Sequence, residues 1–260
     1  MGARRSFARA VAVLGALLTV ASLGVVPASG IANGTAATAG QFPYAVQLRL
    51  DDIKRPNGTT YDSACSGVLI SRTWIMTAGH CFHDGNRTRV SGAPRYATTA
   101  RLGTVSTADP RAGVTRTVVW VEQSRTNDMA LARLNAPVDG IAPARLNTRT
   151  PVVGQVLTFA GWGATTSAGA PSERLFWGQV RVNAVRSSTV LMTGYRPSAT
   201  TSACPYDSGA PYVGISSNGT ATLVSVESTG PACPHRLPET TARVDTAVPW
   251  IRGIVTDLPR

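Results

Sequence analysis

The chain has 260 residues, of which 43% are hydrophobic and 15% are charged, so it is long and apolar enough to bury a substantial core. Its 25 lysine and arginine residues outnumber 14 acidic residues, which gives a formal net charge of +11 at pH 7. Only Lys54 is a lysine, and the arginines are scattered singly among predicted turns rather than gathered in a basic helix or patch. This pattern disfavours nucleic-acid binding and indicates a solvated basic surface.

Residues 1–30 have the pattern of a cleaved export signal. Arg4, Arg5 and Arg9 form a basic start, residues 11–26 are largely apolar, and small residues occupy positions 28–30. The apolar segment is short for a membrane span, and small residues follow it instead of a basic stop. We therefore predict export rather than a retained anchor, and a formal charge of about +8 once the three arginines are removed.

Two features of this leader stay open at the level of sequence. The run Arg4-Arg5-Ser6-Phe7 resembles a twin-arginine export motif, but an ordinary basic start accounts for it equally well. Cleavage after Gly30 creates Ile31 as the new N-terminus directly, whereas cleavage after Ala28 leaves two residues to be trimmed.

From residue 42 onward, short apolar segments of strand length alternate with turn signals. The predicted strands lie at 45–50, 67–70, 73–76, 118–121 and 130–134, and then at 152–160, 175–182, 190–192, 211–215 and 221–226. Two sets of about six short strands, joined by a connector at 137–143, predict an all-β protein with two packed six-stranded antiparallel β-barrels. We place barrel one at about 31–140 and barrel two at about 150–244.

The end of the chain changes period. Val248, Ile251, Ile254 and Val255 fall at helical spacing, which predicts a C-terminal helix over about 245–256. Asp245 or Thr246 is available as its N-cap, and we expect this helix to pack rather than to carry chemistry.

Four cysteines in an exported chain predict two disulfides. Four cysteines allow three pairings, and spacing alone does not choose among them. Cys65 and Cys81 enclose a short loop, as do Cys204 and Cys233, and each of these pairs, if formed, would stabilise the fold by about 3 kcal/mol.

Three segments hold the groups that acyl transfer by a serine requires, namely an imidazole base, a carboxylate to hold it and an accessible hydroxyl. His80 lies at the end of an apolar strand, Asp128 directly precedes strand 130–134, and Ser208 lies in a tight turn rich in glycine and proline. Each alone is weak, because such residues often only cap or turn the chain. Their occurrence in the order His, Asp, Ser favours a catalytic site.

These segments resemble the histidine, aspartate and serine boxes of chymotrypsin/trypsin-like serine proteases, in the exported, bacterial form of that family. The matching segments are Thr77-Ala78-Gly79-His80-Cys81, Asn127-Asp128-Met129-Ala130-Leu131, Asp207-Ser208-Gly209, Ile31-Ala32-Asn33-Gly34, Gly161-Trp162-Gly163 and Val248-Pro249-Trp250-Ile251. The match spans almost all of residues 31–260, and the order of the three boxes differs from that of subtilisins and α/β-hydrolases. The resemblance implies the chymotrypsin-like fold and a protease domain over 31–260.

The resemblance also implies roles for individual residues. Ser208 would be the nucleophile, His80 the base and Asp128 the group that orients it, with Ser228 hydrogen-bonded near Asp128. The backbone N–H groups of Tyr206 and Ser208 would form the oxyanion hole.

Activation would follow the family's pattern, in which a new N-terminal amine pairs with the acid beside the nucleophile. Here that pair is Ile31 and Asp207, and cleavage after Gly30 would switch the enzyme on, because a buried ammonium and a buried carboxylate each need the other.

The sequence departs from the family at the oxyanion hole. Tyr206 stands where active relatives usually have glycine, and if that position needs a positive φ, tyrosine costs about 1–3 kcal/mol of strain. A misplaced donor could lower the rate by about 10²–10³-fold. Ala210 replaces a second glycine, with a smaller expected effect.

The specificity pocket departs as well. Ser202 stands where trypsins carry an aspartate, which disfavours a simple trypsin, while Gly230 keeps an open wall and Ser228 is a further pocket residue. Glu227 and Glu239 fall on segments that would flank the pocket, and one of them could receive an arginine or lysine side chain.

The competing interpretation is that these acids point to solvent or pair with Arg236 or Arg243. Substrate preference stays open between basic side chains, through Glu239, and apolar or aromatic ones.

The sequence therefore predicts a secreted, monomeric serine endopeptidase that acts on proteins or peptides and is open to a protein inhibitor. No cofactor, metal, nucleic acid or membrane contact after signal removal is expected. A metal site at His80-Cys81-Phe82-His83-Asp84 is disfavoured because export favours Cys81 in a disulfide. One alternative is a catalytically silent homologue that acts as a binding protein. The other is a basic protein that binds cell-wall polymers or nucleic acid, and only the net charge supports it.

Overall fold

A computed structural model describes Gly2 and residues 30–259, so the export signal predicted for 1–30 lies outside the described residues except at Gly2 and Gly30. The first strands are β1 (Thr35–Ala36), β2 (Ala45–Lys54), β3 (Thr60–Leu69), β4 (Trp74–Thr77), β5 (Ala97–Leu102), β6 (Val114–Gln123) and β7 (Ala130–Leu134). They are followed by β8 (Arg145–Leu146), β9 (Val156–Gly161), β10 (Phe176–Val185), β11 (Thr189–Arg196), β12 (Pro211–Ile215), β13 (Ala221–Thr229), β14 (Glu239–Arg243) and the helix α1 (Val248–Ile254).

Six antiparallel strands close the first barrel in the order β2-β3-β4-β7-β6-β5. Apolar side chains that alternate along these strands point inward, so that Leu48, Ile75 and Leu131 are fully buried. Asp52 lies at φ 60 where the pairing of β2 with β3 shifts register, which bends the long hairpin outward.

The second barrel closes in the order β9-β10-β11-β14-β13-β12, with β12 pairing back to β9. Two short strands extend its sheet, since β1 runs along β10 and β8 lies parallel to β13. Its core includes the stacked rings of Phe159 and Tyr212, 4.9 Å apart, together with the fully buried Ile31. The predicted fold of two six-stranded barrels with a C-terminal helix is confirmed.

The sixth strand of each barrel, β5 and β14, was not among the ten strands predicted individually. Both strands contain the sequence Thr-Thr-Ala-Arg, in the middle of β5 and at the end of β14. Both lack the run of large apolar residues that marks the other strands. Their strand conformation comes from pairing with neighbours on both sides, which local sequence does not record.

Two predicted boundaries were wrong for local reasons. The strand predicted from residue 152 begins at Val156, because Val152 and Val153 are exposed in a turn that ends at Gly154 with φ 88. The C-terminal helix is shorter than 245–256, because residues 245–247 form a 3-10 turn. Its N-cap is Ala247 without a side-chain bond, since the carboxylate of Asp245 pairs with Arg243 instead.

Two disulfides pin the loops around the junction of the barrels. Cys65 is joined to Cys81, and Cys204 is joined to Cys233, with both pairs largely buried. Of the described residues, none lies in a helix long and apolar enough to cross a bilayer.

Removing either disulfide should destabilise the fold by about 3 kcal/mol, because the unfolded chain gains loop freedom. The bridge from Cys204 to Cys233 should cost slightly more, since its cysteines are 29 residues apart and those of the other bridge are 16 apart. Urea unfolding of the two paired Cys→Ser variants, each in a Ser208→Ala background to prevent self-digestion, measures both. A loss below about 1 kcal/mol in either would contradict this account.

Candidate active site

The three residues singled out in the sequence meet in the cleft between the barrels. His80 lies on a 3-10 turn, Gly79–Cys81, that directly follows β4, and Asp128 lies just before β7. Ser208 comes from the second barrel, in the loop between β11 and β12. The base and its carboxylate therefore belong to one barrel and the hydroxyl to the other.

A continuous chain of short contacts joins these side chains. His80 Nδ1 lies 2.7 Å from Asp128 Oδ2, and His80 Nε2 lies 2.8 Å from Ser208 Oγ. The backbone N–H of His80 also donates to Asp128 Oδ1 at 2.9 Å, which fixes the carboxylate relative to the ring. Ser228 Oγ donates to Asp128 Oδ2 at 2.8 Å.

Asp128 is held in its ionised form by these donors. Burial works to raise its pKa, but the hydrogen bonds and charge of His80, with the bond from Ser228, hold the pKa of Asp128 below its usual value. Arg89 adds a cation from the other side, with Nη1 3.5 Å from Asp128 Oδ1 and 2.9 Å from the carbonyl oxygen of Asn127. Arg89 was missed in the sequence because no motif marks a residue so distant along the chain.

The loop that carries Ser208 is docked on the first barrel by Ser66. The N–H of Ser66 donates to the Ser208 carbonyl at 2.8 Å, and Ser66 Oγ donates to the Tyr206 carbonyl at 3.2 Å. Gly209, at φ 83, faces the first barrel so closely that a Cβ there would lie 2.4 Å from the Ser66 carbonyl oxygen. Only glycine fits this approach, so Gly209 sets the separation of the loop from the barrel.

The proposed oxyanion donors are available. Within residues 30–259, neither the N–H of Tyr206 nor that of Ser208 has a hydrogen-bond acceptor. Tyr206 lies at φ 77, so the position does require the left-handed conformation that glycine adopts freely. The tyrosine keeps the backbone donor while its partly buried ring packs near the bridge of Cys204 and Cys233.

A pocket of about 380 Å³ opens beside Ser208. Its wall includes Ser228, Gly230, Glu227 and Glu239. Ser202 does not line it, since that side chain is 1% exposed and its Oγ accepts the N–H of His235 at 3.3 Å.

The two glutamates are buried and do not pair with Arg236 or Arg243. Glu227 Oε2 accepts the phenol of Tyr212 at 2.6 Å, and Glu239 Oε1 accepts the N–H of Ala203 at 2.7 Å. Burial raises the pKa of both carboxyls above the usual value, and the negative charge of Glu239 raises that of Glu227 further. Tyr212 and His235 are further members of this cluster that the sequence did not indicate as such.

Asp207 is fully buried beside Ser208. Its carboxylate accepts the N–H groups of Gly163 at 2.7 Å and Cys204 at 3.0 Å, and no cationic side chain among the described residues pairs with it. Burial raises the pKa of Asp207 to about 7, against the lowering effect of those two backbone bonds. Ile31, its predicted partner, is fully buried in the second barrel and is still joined to Gly30.

The segment around His83 provides no metal ligand set. Cys81 is in a disulfide, and His83 Nδ1 lies 2.6 Å from the carbonyl oxygen of Asp84. Throughout the described region, no three His, Cys, Asp or Glu side chains are grouped closely enough to hold a metal ion.

Comparison with known proteins places this fold and site in a family. The family model described as Trypsin matches residues 31–251. The protein named "Trypsin, alkaline B" from Manduca sexta is 33% identical over 91% of this chain and 96% of its own length. "Serine protease SP24D" from Anopheles gambiae is 30% identical over 85% of this chain and 80% of its own. The chain belongs to the trypsin family and is a serine endopeptidase by class.

The strain at Tyr206 should be measurable from two substitutions that both remove the ring. Tyr206→Gly relieves the left-handed strain and Tyr206→Ala retains it, so the glycine variant should be more stable by about 1 kcal/mol. Urea unfolding at one pH, again with Ser208→Ala, compares the two. Equal stability would mean that the backbone at this position is not strained.

Proposed function

We propose that this protein is a secreted serine endopeptidase that hydrolyses peptide bonds through His80, Asp128 and Ser208 and a covalent acyl-enzyme. The observation that carries the proposal is the unbroken chain from Asp128 through His80 to Ser208, with contacts of 2.7 and 2.8 Å. Relatives named as trypsins support the same reaction on protein substrates. Two disulfides support an extracellular location.

In the proposed reaction, His80 first accepts a proton and then returns it, once during acylation of Ser208 and once during deacylation. Ser208 Oγ attacks the carbonyl carbon of the scissile bond while His80 Nε2 takes its proton, and the N–H groups of Tyr206 and Ser208 bind the oxyanion. His80 returns the proton to the leaving amine, and the amide bond breaks. Water then attacks the acyl-enzyme with His80 as base, which releases the acid and restores Ser208. Asp128 keeps the imidazole oriented and stabilises its charged form.

A fluorophosphonate probe tests for an activated nucleophile, because only a serine with a working base is phosphonylated quickly. We expect labelling at Ser208, read by mass spectrometry, and its loss in Ser208→Ala and in His80→Ala. Asp128→Asn should lower kcat on a peptide substrate by about 10⁴-fold, because the amide supports the wrong imidazole tautomer. Ser228→Ala is the matched control, since it removes one donor to Asp128 without removing the carboxylate. Labelling that persists in His80→Ala would contradict the mechanism.

The second candidate, a silent binding protein on the same fold, has one observation in its favour, the tyrosine at φ 77 in the oxyanion hole. One variant, Tyr206→Gly, distinguishes the two candidate functions. Under our proposal, Tyr206→Gly changes kcat by less than about threefold, because the donor is already in place. A gain of about 10²–10³-fold would mean instead that Tyr206 disables the site.

Activation through a new N-terminus at Ile31 is part of the same proposal. Gly30 is buried against the segment that holds Asp207, since a Cβ on Gly30 would lie 2.9 Å from the Gly163 carbonyl oxygen. The N–H of Gly163 in turn donates to Asp207. An ammonium at Ile31 would supply the cation that Asp207 lacks among the described residues, at a site where an unpaired charge is costly.

This account predicts opposite effects of pH on two forms of the chain. In a chain that keeps Ser29 and Gly30, the pKa of Asp207 is raised from 3.8 to about 7, so its contribution is complete below pH 4 and is lost as the pH rises through 7. The loss in unfolding free energy reaches on the order of 4 kcal/mol at alkaline pH. In a chain that begins at Ile31, the ion pair removes this loss. Urea unfolding at pH 5 and pH 8.5 compares the forms.

Asp207→Asn in the longer chain serves as the control for this measurement, because Glu227 and Glu239 also have raised pKa values and destabilise the fold in the same direction. In the Asp207→Asn variant, the part of the pH dependence of the unfolding free energy that is due to Asp207 should disappear. An unchanged pH dependence in that variant would overturn the assignment.

A further inference from the structure

Arg89 contacts the carboxylate of Asp128 from a loop that takes no part in the proposed reaction. Its Nη1 lies 3.5 Å from Asp128 Oδ1, whereas His80 Nδ1 and the hydroxyl of Ser228 both contact Oδ2. Within residues 30–259, Arg89 is the one lysine or arginine that pairs with this carboxylate. A guanidinium stays charged over the whole working range of pH, so the carboxylate that orients His80 always has a cation on its other oxygen.

The guanidinium of Arg89 also holds the turn that carries Asp128. Its Nη1 donates to the carbonyl oxygen of Asn127 at 2.9 Å, and its Nη2 donates to that of Ser124 at 3.3 Å. These two carbonyls lie at the start and end of the turn between β6 and β7. The N–H groups of one planar guanidinium therefore connect both sides of the turn to the carboxylate that follows it.

The position of Arg89 is fixed by its surroundings. Its backbone pairs with His83 in an isolated β-bridge, and Gln123 Nε2 fastens the preceding segment by donating to the carbonyls of Gly79 and Phe82 at 2.9 and 3.1 Å. A Cβ on Gly79 would lie 2.5 Å from Arg89 Nη1, so glycine there leaves room for the guanidinium. Exposed ion pairs usually contribute little because two mobile side chains must be ordered. Arg89 is ordered already, although its side chain is 35% exposed.

The other titratable groups near the pair of His80 and Asp128 carry little charge in acidic solution. On the first barrel, His83 Nδ1 contacts the carbonyl oxygen of Asp84. The groups that face the pair from the second barrel are buried acids, namely Asp207, Glu227 and Glu239. Burial raises the pKa of each of these acids, which favours their neutral forms below pH 7. Arg89 is the remaining charged group beside Asp128.

We propose that Arg89 is a positioning residue of this reaction, which fixes Asp128 in place and sets the lower end of the pH range in which His80 acts as a base. The inference rests on the proposed function. When His80 accepts a proton, an imidazolium forms beside Asp128, and the permanent charge of Arg89 opposes this second cation. The base therefore remains free at lower pH than it would beside a carboxylate without an arginine. The same repulsion favours return of the proton to the leaving amine.

The pH profile of kcat/KM on one peptide substrate tests the proposal, because its acid limb reports protonation of the base in the free enzyme. In Arg89→Met, the midpoint of the acid limb should move to higher pH by about half a unit to one unit, since the opposing cation is gone. The plateau of kcat/KM should fall by about threefold to tenfold, because the turn is no longer held.

Two further comparisons separate charge from packing. Arg89→Lys keeps a cation near Asp128, so it should restore most of the acid-limb shift, although a single ammonium replaces the planar guanidinium. The carboxylate contact is partly exposed, so in about 1 M NaCl the difference between the parent protein and Arg89→Met should fall by about half. A shift in Arg89→Lys as large as that in Arg89→Met would overturn the role of the charge.

Arg87→Met is the matched control. It removes the same charge from the same loop, but Arg87 is exposed and its Nη2 lies 3.5 Å from the hydroxyl of Tyr61 rather than near Asp128. Its acid limb should stay within about 0.2 units of the parent profile, because solvent and salt screen so distant a charge. An equal shift in both methionine variants, or a lower plateau in Arg89→Met with an unmoved acid limb, would overturn the proposal.

A second measurement needs no catalysis. In the Ser208→Ala variant, the NMR signal of the His80 Hε1 proton followed against pH reports protonation of the ring directly. Its midpoint should be higher when Arg89→Met is added, by the same half to one unit or so. Equal midpoints in two folded variants would overturn the role of Arg89. A higher midpoint without hydrolysis of any peptide by the parent protein would support Arg89 and count against the proposed protease activity.

Discussion

The geometry of the whole site depends on how the loop of the second barrel that carries Ser208 is held against the first barrel. Ser66 binds this loop with its N–H and its hydroxyl, and it also accepts the N–H of Trp162 at 3.1 Å. Gly209 removes the side chain that would keep the two surfaces apart. The 2.8 Å contact between His80 of the first barrel and Ser208 of the second depends on this junction.

Three acidic side chains are buried near this junction, and for each of them a negative charge without a cationic partner is costly. Asp207, Glu227 and Glu239 are almost completely removed from water, and no lysine or arginine of the described region pairs with them. Glu227 Oε2 accepts the phenol of Tyr212, and burial raises the pKa of Glu227, which favours its neutral form. Burial opposes ionisation of the other two, and we propose that the ammonium of a processed N-terminus at Ile31 stabilises the charged form of Asp207.

Short motifs marked His80, Asp128 and Ser208 as candidate catalytic residues, and the cysteine count predicted two disulfides but left their pairing open. The alternation of apolar residues also predicted most strands, but β5 and β14 were missed because Thr-Thr-Ala-Arg carries no burial signal of its own. The pocket was predicted only in part. Glu227 and Glu239 were placed at its wall, but their partners Tyr212 and His235 follow from side-chain directions that depend on the folded barrel.

Arg89 is another residue whose position in the site could not be predicted from the sequence. It contacts Asp128 and Asn127 from a loop 38 residues earlier in the chain than Asn127, and nothing in its neighbourhood distinguishes it from the other scattered arginines. Its position beside the carboxylate is a result of how the loops between β4 and β7 pack. Charge counted along a sequence gives no information on such placement.

The burial of Gly30 and Ile31 bears on whether cleavage between them comes before or after this end of the chain folds into the second barrel. A peptidase must draw several residues of its substrate into an extended conformation, and the bond between these two residues is enclosed by the second barrel once the chain has folded. The cleavage that we propose there has to occur while this end of the chain is still outside the barrel.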